Sequence, residues 1–337
     1  MKKLLSALTA TSALILSAPV LAEEAAAPIT YFTAAKMVDV ETGKLVDHPL
    51  IGVRDGRIVS LVDRRTTSLP ANGKLVDLGN RTLLPGLIDM HVHLDSLAEV
   101  GGYNSLQYTD SFWSMVAVKN ARDMLNAGFT TVRNVGASDY ADLALKMAIE
   151  RGAIPGPRIV PATYAIGATG GHCDSNELPA NYVFDRPGIA DGPDGVRQKV
   201  RELHRRGAEV IKYCATGGVF SIGTSVGAQQ YTQAEMNALV DEAHMLGLKV
   251  AAHAHGTNGI KAAIRAGIDT IEHASLVDDE GIRLAVERKQ PVWFALGEDR
   301  PPVPRAGLDA RRRGRRQEHV VCPGRRFRNL DLALQLF

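Results

Sequence analysis

The chain has 337 residues, 45% of them hydrophobic, so it can bury a large core and does not read as a disordered chain. Lys and Arg number 39 against 37 Asp and Glu, a net charge of +2 that gives no case for nucleic acid or an anionic membrane as partner. Three cysteines, Cys173, Cys214 and Cys322, stand far apart without a CxxC pair. Neither a disulfide framework nor a zinc ribbon is indicated, and each is expected as a small buried apolar residue.

Residues 1–22 carry Lys2-Lys3, an apolar stretch from Leu4 to Leu16, and a small residue at Ala22 ahead of Glu23 and Glu24. This is the pattern of a secretory signal peptide: the apolar run is too short to span about 30 Å of hydrocarbon, and Ala22 offers a cleavage site. The expectation is a periplasmic or secreted protein with no stable membrane anchor. From 23 to 82, short alternating segments at Tyr31–Ala34, Leu50–Val53, Arg57–Leu61 and Lys74–Asp77 are separated by turn pairs such as Asp55-Gly56 and Asn72-Gly73. Such hairpin chemistry predicts a small antiparallel sheet, the N-terminal β-sandwich part.

From 83 to 295, apolar strand runs alternate with amphipathic helices, the signature of βα units around a parallel sheet. Strands are predicted at Leu83–Met90, Thr130–Val135, Arg158–Ala162, Glu209–Cys214, Lys249–Ala254, Thr270–His273 and Pro291–Ala295, seven of the eight that a closed barrel needs. The helical stretches Ala117–Ala127, Val196–Arg206 and Ala234–Leu246 each stop at a glycine, Gly128, Gly207 and Gly247, which can take the left-handed position after a helix end. The expected fold is α/β: an incomplete (β/α)8 TIM-like barrel of about seven strands with a small N-terminal β-sandwich subdomain.

The segment Pro85-Gly86-Leu87-Ile88-Asp89-Met90-His91-Val92-His93 places two histidines at the C-terminal end of an apolar strand. Alternation puts His91 and His93 on one face, and two neutral imidazoles at a barrel mouth form half of a metal site. Lys212, His253 and His273 also fall at strand ends. One core histidine is usually structural, but four at successive strand ends converge on one mouth. In Gly170-Gly171-His172-Cys173-Asp174, His172 is a candidate for touching substrate or leaving group, set against a loop-stabilising role. His255 is expected to support His253 rather than bind metal. Tyr231 and Arg133 read more readily as packing or solvated surface than as substrate contacts.

Taken together, the segments PGLIDMHVH, IKYCATGG, KVAAHAHG and IEHAS resemble the amidohydrolase superfamily, in the imidazolonepropionase-like branch that contains Xaa-Pro dipeptidases, over residues 30–293. The resemblance implies two divalent metal ions, zinc by default. By that similarity His91 and His93 bind one, His253 and His273 the other, and carboxylated Lys212 bridges both. A lysine buried on an apolar strand is driven neutral, and a neutral amine can take up carbon dioxide as an anionic carbamate. The implied activity is hydrolysis of amide or peptide C–N bonds in a small amide or Xaa-Pro dipeptide through a metal-bound hydroxide, with Lys212 and His172 as the catalytic candidates. Cyclic-amide hydrolysis is the alternative chemistry, and an inert fragment the alternative of another class. A homo-oligomer is compatible with the sequence.

The family pattern continues to an eighth strand with a metal-binding aspartate, which does not appear here. Residues 296–337 instead form an atypical tail: Arg300–Phe337 holds ten arginines and no lysine follows Lys289. The abrupt change reads as translation in a shifted frame. Asp299, Asp309 and Asp331 do not sit at strand ends in this pattern.

Overall fold

A computed structural model of the chain describes residues 27–70, 73–176, 178–179, 181–182, 185–288 and 293–295. The leader reading over 1–22, Cys322 and the tail with Asp299, Asp309 and Asp331 lie outside the described residues. The chain divides into two units, residues 1–84 and 85–337.

In the first unit, β1 (Thr30–Thr33), β2 (Lys36–Asp39), β3 (Lys44–Asp47), β4 (Pro49–Arg54), β5 (Arg57–Asp63), β6 (Lys74–Asp77) and β7 (Thr82–Leu83) make two sheets, ordered β5-β4-β1-β6 and β3-β2-β7. Asp55 and Gly56 take positive φ of 50° and 72°, the left-handed pair that suits the twist of the β4–β5 hairpin. The expectation of an antiparallel sheet fails at β7, which pairs parallel with β2, and at β6. This strand pairs parallel with β1, Thr30 opposite Lys74, because β4 already occupies the other edge of β1 and β5 is held by β4. Gly73 therefore precedes a crossover strand rather than closing a hairpin, and Asn72 lies outside the described residues.

The second unit alternates strand and helix: β8 (Leu87–Val92), α1 (Asp110–Asn126), β9 (Phe129–Asn134), α2 (Ala141–Glu150), β10 (Arg158–Pro161), α3 (Gly192–Arg206), β11 (Val210–Cys214), α4 (Gln233–Met245), β12 (Lys249–Ala254), α5 (Thr257–Ala266), β13 (Thr270–His273), α6 (Asp279–Glu287) and β14 (Trp293–Ala295). All its named strand pairs are parallel, in the orders β10-β9-β8 and β11-β12-β13-β14. Ile166 joins the two sets: its N–H donates to the Lys212 carbonyl at 2.8 Å and its carbonyl accepts from Cys214 at 2.9 Å. Seven parallel strands therefore follow one another in sequence order. The glycines after α1, α3 and α4 do stop their helices, with φ of 97° at Gly128, 110° at Gly207 and 76° at Gly247.

The predicted strand Leu83–Met90 is two strands. Leu83 belongs to β7 of the first unit, and Pro85, which has no N–H to give a ladder, separates it from β8. Among the described residues no strand covers the outer edge of β8, so the barrel is not closed there, and Leu87, Ile88 and Met90 are exposed.

Alternation along the strands decides what faces the barrel interior. Ile211 and Tyr213 of β11, Val250, Ala252 and Ala254 of β12, and Ile271 of β13 share one core with Val196, Leu203, Met236, Leu239, Ile260 and Ile264 from the helices. Val132 and Ile159 share a second core with Ala117, Ala121 and Leu145, and Val92 packs against it. The residues between these, His91, Arg133, Lys212, His253 and Glu272, are consequently turned to the opposite face, the barrel interior.

Candidate metal centre

His91 and His93 flank Val92 at the end of β8, with ring centroids 5.3 Å apart. The Nδ1 atom of His93 lies 3.0 Å from the Gly136 carbonyl, and that of His91 lies 2.8 Å from Oε2 of Glu272. Carbonyl and carboxylate oxygens only accept, so both Nδ1 atoms carry the hydrogen and a neutral ring keeps its lone pair at Nε2. The His91 ring is 4.9 Å from that of His273, which in turn is 4.8 Å from His253 and 4.8 Å from His255. His172 stacks on His253 at 4.1 Å, and its Nδ1 meets the Ser221 hydroxyl at 2.8 Å. Of the candidate ligands, His91, His253 and His273 lie in the C-terminal halves of β8, β12 and β13, His93 stands one residue past β8, and Lys212 is at the middle of β11, with His172 on the loop after β10.

His273 reaches this cluster against the alternation. Next to inward-facing Glu272 it would turn toward the helices, but its φ of 74°, followed by 49° at Ala274, swings it back. A non-glycine residue in the left-handed region is strained, and such strain tends to gather at functional sites.

The electrostatics suit cation binding. Burial, and after it the Lys212 charge, pushes His172 down to about 4. Burial with neighbouring His91 takes His273 down to about 3, and burial with His172 and Lys212 holds His253 far below the ordinary imidazole range. Lys212 is 3% exposed, and burial lowers its amine to about 8. That one ammonium influences His93, His172, His253 and His273 puts Lys212 within electrostatic reach of both halves of the cluster. In Glu272 burial would raise the carboxyl, but the His91 hydrogen bond and the Arg133 and Lys212 charges outweigh it and hold it at about 2.

Does the donor set fit a metal? The Nε2 atom of His253 is buried without a hydrogen-bond partner, a costly state for a polar atom that a bound cation would relieve. Ligand atoms of His253, His255 and His273 lie within 4.8 Å of one another. Neutral imidazoles with free lone pairs are the commonest protein metal ligands, so the residues fit. The approach is tight: a Cβ at Gly218 would stand 2.6 Å from His253 Nε2, so the loop passes there only as glycine.

Several features differ from what the sequence suggested. His255, expected only to support His253, is as near His273 as His253 is, because it continues past β12 on the same inward side, its Nδ1 2.8 Å from the Ser275 hydroxyl. Arg133 is neither solvated surface nor plain packing but a buried partner of Glu272, at 2.7 Å. Tyr231, by contrast, is the packing residue expected, its hydroxyl donating to the Ala190 carbonyl at 2.9 Å. Cys214 is buried as expected, yet it is joined to Cys173 in a disulfide across Cα atoms 6.0 Å apart. Sequence spacing carried no sign of that bond, which arises because the loop after β10 folds back beside β11. The strand run Thr270-Ile271-Glu272-His273 held the signal for Glu272: a carboxylate in an apolar strand must have a partner.

The depressed histidines set a pH dependence for the metal-free chain. Folded His172 and His273 refuse protons that the unfolded chain takes up below the ordinary value of 6.5. Their contribution is intact above 6.5 and is lost as pH falls from there toward about 4. Urea midpoints of chelator-treated protein are expected to drop across that window, and a flat profile between pH 6.5 and 5 would contradict buried neutral rings.

The amidohydrolase family profile matches residues 82–306. Ochratoxinase of Aspergillus niger is 37% identical over 226 residues, covering 61% of this chain and 46% of its own length. The chain spans about half the length of the curated relatives it matches. Among solved structures, an Xaa-Pro dipeptidase with methionine bound in its active site superposes with a TM-score of 0.72 at 34% identity, covering 79% of this chain and 66% of that one. A prolidase complexed with N-methylphosphonate-L-proline gives 0.70 at 35% identity, covering 78% and 65%. The crystal structure of A. niger ochratoxinase gives 0.69 at 28% identity, covering 80% and 65%. With parallel βα units, histidines at the strand ends and a profile match over more than half its length, the chain belongs to the amidohydrolase family.

Proposed function

We propose that this unit is the metal-binding barrel of a hydrolase that cleaves an amide or peptide C–N bond in a small substrate, with Xaa-Pro dipeptides the first class to assay. The observation that carries the reading is the cluster of imidazoles around Lys212, with the buried Nε2 atom of His253 left unpartnered. His91 and His93 would hold one divalent ion, taken as zinc, and His253 and His273 a second, with His255 close enough to His273 to join them. Lys212, neutral for part of the time because it is buried, would combine with carbon dioxide, releasing a proton, and the resulting carbamate would supply an anionic ligand to the centre. Bound ions supply a Lewis acid for the scissile carbonyl and an activated water. His172, stacked on His253 and within hydrogen-bond distance of Ser221, is the candidate for contact with the substrate or its leaving group.

The prolidase and Xaa-Pro dipeptidase neighbours favour dipeptides, and the ochratoxinase relative makes ochratoxin the second substrate to test. The leader pattern and the Cys173–Cys214 disulfide both favour an oxidising, exported location. No helix among the described residues is long and apolar enough to cross a membrane.

His91→Ala or His93→Ala is expected to cut bound zinc, whereas His204→Ala, on exposed α3 surface, leaves it unchanged. Elemental analysis of the purified chain decides this, alongside turnover on Xaa-Pro, Xaa-Arg and N-acyl amino acid panels. Equal zinc in all three variants would sink the metal assignment.

A further inference from the structure

We propose that Glu272 is a positioning residue for the metal centre: from β13 its carboxylate fixes His91 of β8 as the Nδ1–H tautomer, and Arg133 locks that carboxylate in place. The inference rests on reading the imidazole cluster as a metal centre and adds the part that aims one of its ligands.

Glu272 is fully buried, at 0% exposure. Its Oε2 lies 2.8 Å from His91 Nδ1, while Oε1 takes Nη2 of Arg133 at 2.7 Å and the Thr270 hydroxyl at 2.8 Å. Arg133 spends its other donors elsewhere, Nε on the Met90 carbonyl at 2.6 Å and Nη1 on the Thr270 hydroxyl at 3.0 Å. A buried Arg–carboxylate pair that served only to hold strands together would gain most from two parallel hydrogen bonds. Here the pair uses one carboxylate oxygen and leaves the other to the imidazole. A carboxylate cannot donate, so this contact selects the ring form whose Nε2 lone pair is free. The hydrogen bond joins residues 181 apart in sequence, the first and sixth of the seven parallel strands, so it also sets the ring's position across the barrel interior. Carboxylates behind metal-binding histidines fix tautomer and orientation, and their loss typically costs about 10- to 100-fold in metal affinity.

The test uses the full chain and two readouts. The first is nitrogen NMR of the metal-free, histidine-labelled protein, which reports the tautomer of His91 and needs no variant. The second is zinc affinity by competition with a chelating dye. Glu272→Ala alone would strand the Arg133 charge in the core and risks not folding. The working variant is therefore Glu272→Met with Arg133→Met, which removes both charges at similar volume. Thr270→Val, which disturbs the same network without touching His91, is the control for a merely structural role.

The expected result is Nδ1–H His91 in the wild type, a shift toward Nε2–H in the double variant, and zinc binding weaker by about 10- to 100-fold there but not in Thr270→Val. Wild-type His91 protonated at Nε2 overturns the proposal even if no variant folds. A tautomer shift that leaves zinc affinity unchanged overturns it too. A wild-type chain that binds no zinc while still showing the tautomer shift overturns the metal-centre reading itself, which is a distinguishable failure.

Discussion

Lys212→Ala is expected to strip the centre of metal, lowering zinc affinity by more than about 100-fold, beyond the range for supporting residues. Two divalent ions would bring four positive charges, and imidazole ligands, which bind metal through a neutral nitrogen, would offset none of them. Among the described residues, the buried carboxylate in contact with the cluster is Glu272, and it is already committed to His91, Arg133 and Thr270. An anion has to come from elsewhere, and Lys212 can provide it: its burial lowers the amine to about 8, so a neutral fraction is present near neutrality to take up carbon dioxide. Alanine leaves a gap that a short-chain carboxylate can fill, so added formate or propionate is expected to restore part of the zinc. Lys212→Arg is expected to bind no better than alanine, because a guanidinium stays cationic and forms no carbamate. The measurement is zinc per chain by elemental analysis, with and without bicarbonate and with each carboxylate. Wild-type zinc content in Lys212→Arg would refute the carbamate role.

What the sequence made legible followed from periodicity and punctuation. The strand positions of the barrel were readable because parallel strands buried on both faces are nearly continuous apolar runs, as in Val210–Cys214 and Lys249–Ala254. The glycine stops were readable because only glycine takes φ near 100° without strain, as at Gly128 and Gly207. Pairing partners were harder to read. The parallel placement of β6 beside β1 depends on which edges remain free after β4 is placed, which no local pattern records. The same holds in the site. Histidines at strand ends announce themselves, whereas the Glu272–His91 contact joins residues 181 apart and becomes visible only once the sheet curves β8 round to face β13. His273 shows the limit of alternation, because its positive φ reverses the face that period two assigns to it.

Removing the Cys173–Cys214 bond by the double change Cys173→Ser and Cys214→Ser is expected to cost about 4 kcal/mol of stability, from the loop-closure entropy that a crosslink across 41 residues takes from the unfolded chain. The bond also has a local consequence. Cys173 follows His172 directly, and Cys214 lies two residues after Lys212 on β11, so the crosslink ties the His172 loop to the strand that carries the lysine. Without it the loop retains the Gln230 side chain, which accepts from the His172 N–H at 3.0 Å, and the Ser221 contact at 2.8 Å. Each neutral hydrogen bond is worth only about 1 kcal/mol net, too little to replace the crosslink. Urea unfolding is the check. The double variant and the wild type in reductant are expected to share one lowered midpoint, while Cys322→Ser in oxidising buffer unfolds with the wild type. An unchanged midpoint in the double variant would mean that the two sulfurs do not contribute a stabilising crosslink in solution.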